Sequence, residues 1–145
     1  MPENPREPAE RGTESPNALR ITAPGNASLA PVARRAVREF CRRNGATPEV
    51  CQAVAVAVTE AVANAVVHGY RDVEHPGLVE IVTAVEDGRL VVLVRDFGAG
   101  LATYTRSHGA GLGLPLISML ADHVEVSGDI GEGTELRMTF DPRRP

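Results

Sequence analysis

Residues 47–69 read TPEVCQAVAVAVTEAVANAVVHG, and this stretch combines a helix start, a long apolar run and a helix stop. Thr47 can cap the helix, Pro48 suits its first turn, and the acid at Glu49 matches the positive end of the helix dipole. The helix is predicted to run to about His68, with Gly69 as its stop. Because apolar residues cover most of its circumference, it is predicted to form the buried centre of its domain.

The segment before this helix predicts one strand and one further helix. Leu19 to Thr22 alternates apolar and polar residues, as a short strand does. Ser28 can cap a helix that runs to about Asn44, where Gly45 would end it. The apolar residues of this helix recur at helical spacing, and most of its basic residues fall on the other side. These basic residues are Arg34, Arg35, Arg38, Arg42 and Arg43.

The rest of the chain predicts two β-hairpins with a short helix between them. The expected elements are Leu78 to Val85, Leu90 to Val94, a helix from Leu112 to Ala121, Val124 to Ser127 and Thr134 to Phe140. The turn signature Glu86-Asp87-Gly88-Arg89 joins the first two strands. Strands that arrive in hairpins, with helices between them, predict an α+β fold. We expect a two-layer α/β sandwich with a mixed, mostly antiparallel sheet and helices on one face.

The composition fits one globular domain and excludes several functions. The chain has 145 residues, of which 43% are hydrophobic and 23% charged, as expected for a domain with a buried core. Its net charge of −4 argues against a general binder of nucleic acids or anionic membranes, and an aromatic content of 3% argues against base stacking. All 15 basic residues are arginine, which excludes a P-loop lysine, a Schiff-base lysine and the strand lysine of eukaryote-type protein kinases.

The ends of the domain and its compartment can also be predicted. Residues 1–17 are rich in Pro, Glu and Arg and are expected to form a disordered leader, with the folded domain over residues 18–141. We find no run of roughly 18 apolar residues and no secretory signal. Cys41 and Cys51 cannot form a zinc site by themselves and are expected to be buried or idle thiols. These features predict a soluble, reduced, cytoplasmic protein.

Polar residues interrupt the apolar central helix at regular spacing. Glu60, Asn64 and His68 are four residues apart, so they fall on one helix face. A carboxylate and an amide oxygen on one face could hold a hydrated metal or activate a nucleophile. The alternative is a helix edge that simply faces solvent.

Three glycine-rich strings stand at the ends of predicted elements. Residues 96–100, DFGAG, follow a hydrophobic strand, and glycine there would let the backbone approach a ligand closely. Residues 109–114, GAGLGL, precede a helix, where free backbone amides can bind an anion or a phosphate. Residues 131–134, GEGT, open the last strand. Each string alone is also consistent with an ordinary turn.

The order of these strings is more specific than any one of them. EAVANAVVHGY, DFGAG, GAGLGL and GEGT, in this order, resemble the N box and glycine boxes of the gyrase, heat-shock chaperone, histidine-kinase and mismatch-repair ATPase superfamily. Within it, the chain is most similar to the bacterial anti-sigma-factor serine kinases. The resemblance covers roughly residues 19–140 and implies a Bergerat-type fold that binds ATP and Mg²⁺.

The resemblance also implies a role for individual residues. Glu60 would be the catalytic general base, and Asn64 would hold Mg²⁺ against the phosphates. Asp96 would accept the adenine amino group, with Thr134 supporting that contact. The segment 101–110 would be a lid over ATP. The other residues implied to border the nucleotide are Gly98, Gly100, Gly109, Gly111, Leu112 and Gly113.

Three functions remain open from the sequence, the third of which is a detached ATPase domain that serves some other switch. The first is an ATP-dependent serine/threonine kinase that phosphorylates an anti-anti-sigma (STAS-type) protein and sequesters a sigma factor, with self-pairing as a further option. The second is a module that binds nucleotide and controls a partner without phosphoryl transfer. The relatives carry an Arg-Ser pair just before the second glycine of the phosphate loop, whereas Arg106 and Ser107 lie a few residues earlier here. No direct nucleic-acid or membrane partner is expected.

Overall fold

The computed structural model describes residues 13–15, 17–69, 77–97, 113–128 and 133–145. The strands are β1 (Thr13–Ser15), β2 (Ala18–Pro24), β3 (Leu78–Glu86), β4 (Arg89–Asp96), β5 (His123–Ser127) and β6 (Thr134–Phe140). The helices are α1 (Leu29–Arg43), α2 (Pro48–Gly69) and α3 (Gly113–Leu120).

The strands form one six-stranded sheet in the order β1-β2-β3-β4-β6-β5. Every pairing between the described strands is antiparallel, so the expectation of a mixed sheet was wrong in that detail. The physical reason is that β6 lies between β4 and β5, the two strands that run in the same direction and are joined through α3, so no two parallel strands are neighbours. The α+β class, with helices packed on a largely antiparallel sheet, is confirmed.

The core lies between the sheet and α2. Leu90, Val92 and Val94 alternate along β4, and all are buried on the face toward the helices. On α2, the side chains of Val54 and Val58, one turn apart, are fully buried. This helix contacts α1, α3, β3, β4 and β6, which explains why its apolar surface extends around most of its circumference.

The hydropathy of α2 corrects one expectation. Its window Pro48–Val67 has a mean hydropathy of 1.8, so by length and composition it could cross a membrane, contrary to the prediction that no segment reaches that composition. However, 61% of this window is buried inside the domain. A core helix passes the same test as a membrane span, and contact with the sheet accounts for the apolar character of α2.

The helices end close to the predicted residues, but the capping hydrogen bonds do not always come from the predicted side chains. The Thr47 hydroxyl accepts a hydrogen bond from the Val50 backbone N–H at 3.2 Å, so this predicted cap is confirmed. Ser28 does precede α1, but its side chain makes no capping hydrogen bond. Instead, the Asn26 side-chain oxygen accepts hydrogen bonds from the Ser28 backbone and hydroxyl. Gly45, at φ +79°, ends the α1 region as predicted.

The predicted leader also needs a correction. Thr13–Ser15 form β1, an edge strand that pairs with β2 through Thr13 and Arg20. These residues were expected to be disordered, and the pairing with a neighbouring strand supplies the backbone hydrogen bonds that composition alone does not reveal. The remainder of the leader, residues 1–12 and 16, lies outside the described residues.

Candidate functional site

The polar stripe on α2 lies at the edge of the core. Asn64 is 8% exposed, and Glu60, one turn earlier, is half-buried. Asn64 makes no side-chain hydrogen bond with any residue in the part of the chain that the structure describes. The polar side-chain atoms of Asn64 nevertheless keep contact with solvent. Among the described residues, only the Thr83 hydroxyl is both fully buried and without a hydrogen-bond partner. A nearly buried amide that keeps access to solvent is suited to hold a ligand.

A second pair of polar side chains lies at the ends of two central strands. Asp96 is the last residue of β4, and it is 2% exposed. Thr134 is the first residue of β6, is 4% exposed, and stands directly opposite Asp96 in the register. Asp96 follows the alternation of Val92 and Val94, so its carboxyl group lies on the helix-facing side of the sheet, where β4 contacts α2.

Close backbone approaches fix the end of this strand pair. Gly133 has φ +94°, and a Cβ atom there would collide with the Asp96 carbonyl oxygen and lie 2.9 Å from the Phe97 Cα. A Cβ on Gly128 would in turn collide with the Gly133 carbonyl oxygen. The chain can therefore pass this point only with glycine at both positions, and Thr134 is held opposite Asp96.

The sequence prediction did not single out Gly128 as important. Its position just after a predicted strand gave a weak signal, because many hairpins contain a glycine there. Its close approach to the Gly133 carbonyl oxygen becomes apparent only when β5 and β6 are paired. Gly133 was part of the GEGT string, and the structure gives it a steric role next to Asp96.

The third element is the start of α3. This helix begins at Gly113, one residue after the predicted start, and the fully buried Ile117 anchors it. The helix also contacts α2. Its N-terminal backbone amides are the expected phosphate-binding groups of the GAGLGL string.

Several predicted site residues lie outside the described residues. They are Gly98, Gly100, Gly109, Gly111 and Leu112, together with the expected lid 101–110, Arg106 and Ser107. His68 belongs to α2. The structure thus places Glu60, Asn64, Asp96, Gly113 and Thr134 on elements that contact one another, and their proposed roles stay predictions.

The donor set at the site is compatible with a magnesium ion shared with phosphates. Among the described residues there is no group of three or more His, Cys, Asp and Glu side chains that could hold a metal by themselves. Mg²⁺ is commonly bound through one or two protein oxygens, with phosphate and water completing its octahedron. The accessible Asn64 amide, one turn from the Glu60 carboxylate, fits that mode of binding.

Comparisons with known proteins agree with this arrangement. Residues 23–140 match the model of the family described as Histidine kinase-like ATPase domain. The anti-sigma F factor of Clostridium acetobutylicum is 30% identical over 117 residues, which cover 73% of this chain and 80% of that protein. The anti-sigma F factor of Geobacillus thermodenitrificans is 30% identical over 113 residues, covering 70% of this chain and 77% of that protein.

Solved structures show the same fold. The crystal structure of the RsbU and RsbW domains of Rv1364c from Mycobacterium tuberculosis matches with a TM-score of 0.70 and 26% identity. That match covers 88% of this chain but 33% of the other, so this chain spans about a third of its length. The SiaB–SiaC complex from Pseudomonas aeruginosa matches with a TM-score of 0.63 and 21% identity over 84% of this chain and 88% of the other, which supports the fold alone. The family match, the curated relatives and the placement of the N-box helix beside the Asp96 strand agree: the chain belongs to the histidine kinase-like ATPase domain family.

Proposed function

We propose that the chain is an ATP-binding anti-sigma factor with serine/threonine protein kinase activity. In this proposal it phosphorylates an anti-anti-sigma (STAS-type) protein and sequesters a sigma factor, so that it regulates transcription. The observation that carries the proposal is the buried Asp96–Thr134 pair at the end of the sheet, with the polar face of α2 on the helix layer that contacts β4. The curated relatives are named anti-sigma F factor, which supports the regulatory part.

The binding step would divide the nucleotide between two elements. The Asp96 carboxylate accepts a hydrogen bond from the adenine amino group, and Thr134 supports this contact from the neighbouring strand. An ionised carboxylate can only accept hydrogen bonds, so at that position of the base it selects for a donor such as the adenine amino group. The start of α3, at Gly113, presents backbone amides toward phosphate oxygens.

The transfer step would use the polar face of α2. Asn64 holds Mg²⁺, which when bound supplies neutralisation of phosphate charge. Glu60 accepts the proton of the substrate hydroxyl as its oxygen bonds to the terminal phosphorus and the bond to the bridging oxygen of ADP breaks. Glu60 is half-buried, so its carboxylate is reachable by a substrate from solvent. No lysine is required for these roles, consistent with its absence from the sequence.

The same proposal includes the compartment and the partners. A sigma factor and its regulators act in the cytoplasm, and we place this chain there. Self-pairing into a homodimer belongs to the proposal as well. Direct contact with nucleic acid or membrane does not, since the net charge of −4 disfavours both.

A nucleotide-binding module without phosphoryl transfer is the alternative. It would need the Asp96 and Asn64 contacts but not a base at position 60. The half-buried carboxylate of Glu60, on the same helix face as Asn64, favours the kinase.

The decisive experiment incubates the purified chain with Mg²⁺, γ-labelled ATP and the anti-anti-sigma protein encoded nearest to it. Labelled phosphoserine or phosphothreonine on that protein is the expected product, and Glu60→Ala should abolish most of the label. A rise in Tm with Mg-ATP without any labelled product would refute the kinase activity and support the nucleotide-binding module. An unchanged Tm at saturating Mg-ATP would refute nucleotide binding altogether.

A further inference from the structure

A cleft of about 640 Å³ lies between α1 and the beginning of α2. Its floor is apolar and includes Ala46, Pro48 and Cys51, and its wall is formed by side chains of α1. Cys51 and Asn64 are separated by about 20 Å along the axis of α2, at a rise of about 1.5 Å per residue. The cleft is therefore distinct from the candidate nucleotide site.

The wall of the cleft is strongly basic. Arg34, Arg35, Arg38 and Arg42 line it, with Glu39 as the acidic residue among them. This local charge is opposite in sign to the net charge of −4 of the whole chain. The charge of this concave surface is opposite to the net charge of the protein, so the surface is suited to bind a specific anionic partner.

Glu39 neutralises only the Arg42 end of this wall. Its carboxylate accepts hydrogen bonds from Arg42 at 2.6 and 2.9 Å and from Arg43 at 3.2 Å. The hydrogen bond from Arg42, together with the second arginine, lowers the pKa of Glu39 to about 2, so the carboxylate is ionised and already shared between two guanidinium groups.

Three arginines of the wall remain without a counterion. Arg34, Arg35 and Arg38 make no hydrogen bond or ion pair with any residue of the described ranges. Elsewhere on the surface, Arg20 pairs with Glu80 and Arg137 with Glu86. The wall also places arginines at positions 34, 38 and 42, four residues apart, where like charges on a helix repel each other.

We propose that this cleft docks an acidic segment of a partner protein, with carboxylates on Arg34, Arg35 and Arg38 and an apolar side chain on the floor at Ala46, Pro48 and Cys51. Arginine forks suit paired carboxylate oxygens, and charge complementarity at such a surface accelerates and orients association. The apolar floor and the concave shape favour a polypeptide over a nucleic-acid backbone, which would need an extended basic track. The docking surface adds to the proposed function but does not depend on it, because the test below contains no nucleotide.

The test measures binding of a fluorescein-labelled helical peptide whose one face carries glutamates around a single leucine. We expect the wild-type chain to raise its fluorescence anisotropy, with an affinity that falls as salt increases. Arg34→Gln/Arg38→Gln should weaken binding by about tenfold, since two exposed ion pairs are lost. Replacing the glutamates of the peptide with glutamines should weaken binding by a similar factor.

The control variant is Arg89→Gln/Arg143→Gln, which removes the same charge from exposed positions outside the cleft. It should bind the peptide within about twofold of the wild type, as expected for charges away from the interface. Equal weakening by both double variants would refute the cleft, as would absence of peptide binding to the wild type. Heparin or duplex DNA would be compared with the peptide in the same assay. If either bound more tightly than the peptide, and Arg34→Gln/Arg38→Gln lost that binding, the ligand of the cleft would be a polyanion and not an acidic polypeptide. Dissociation of a wild-type dimer by the same substitutions, seen in sedimentation, would assign the cleft to a second copy of the chain.

Discussion

Gly133 passes so close to the end of β4 that any side chain on it would collide with the carbonyl oxygen of Asp96. The contact is with backbone, which cannot rotate away as a flexible side chain could. The residue after Gly133 is Thr134, the register partner of Asp96. The position of the proposed adenine-binding pair thus depends on a glycine that contributes no functional group of its own.

The first prediction is that Gly133→Ala destabilises the protein far more than an equivalent change elsewhere. Gly45→Ala is the matched control, because Gly45 has φ +79° but no atom within 4 Å of its ideal Cβ. The control should lose about 1–2 kcal/mol from backbone strain alone, whereas Gly133→Ala adds a backbone collision and should lose at least about 3 kcal/mol. Urea denaturation of both variants measures the difference. Similar losses would mean that the strand ends separate without cost.

Particular residues show how far the sequence could predict this structure. Thr47 and the apolar run that follows it predicted α2, because caps and periodicity are local properties. Ser28 was assigned a capping hydrogen bond that it does not make, since its hydroxyl donates to the Asn26 side-chain oxygen instead, a choice that residue type alone does not determine. Asp96 and Thr134 were associated through family resemblance alone. Their pairing depends on the register of β4 and β6, which no local pattern contains.

The second prediction separates nucleotide binding from catalysis. Asp96→Asn removes the negative charge and replaces one of the two acceptor oxygens with an NH2 donor, so binding of Mg-ATP should weaken. Glu60→Ala should bind Mg-ATP nearly as the wild type does, while phosphoryl transfer slows by roughly 10²–10⁴-fold if Glu60 is the general base. Calorimetric titration gives the affinities, and label transfer gives the rates. If Glu60→Ala loses as much affinity as Asp96→Asn, the role of Glu60 is wrong.

The third prediction concerns Thr83, whose hydroxyl is fully buried and has no partner among the described residues. Thr83 lies in the centre of β3, opposite Leu19 and Val92. Valine has nearly the same shape and removes the unpaired oxygen, so Thr83→Val should raise the free energy of unfolding by about 1 kcal/mol. Thr83→Ala should lower it, because that change leaves a cavity. A loss of stability in Thr83→Val would indicate that the hydroxyl is satisfied by a buried water.

The fourth prediction concerns alkaline pH and Cys41. The thiol of Cys41 is fully buried between the helices and the core, and this burial raises its pKa to about 12. In the unfolded chain a thiol titrates near about 8.5. The unfolded state therefore loses its proton first, and the stability contributed by this residue is complete below about pH 8.5 and is lost progressively as the pH rises toward 12.

The slope of this loss distinguishes Cys41 from other residues that titrate in the same range. Under reducing conditions, the free energy of unfolding of the wild type should fall with a contribution from Cys41 of up to about 1.4 kcal/mol per pH unit. Cys41→Ala lowers stability at neutral pH through a small cavity, but it should make the alkaline slope shallower by that amount. Cys51→Ala is a second test variant: since burial also raises the pKa of Cys51, it should reduce the slope as well. Urea denaturation from about pH 8 to pH 10 measures all three proteins. Parallel pH profiles for the wild type and Cys41→Ala would show that the Cys41 thiol ionises as readily in the folded protein as in the unfolded chain.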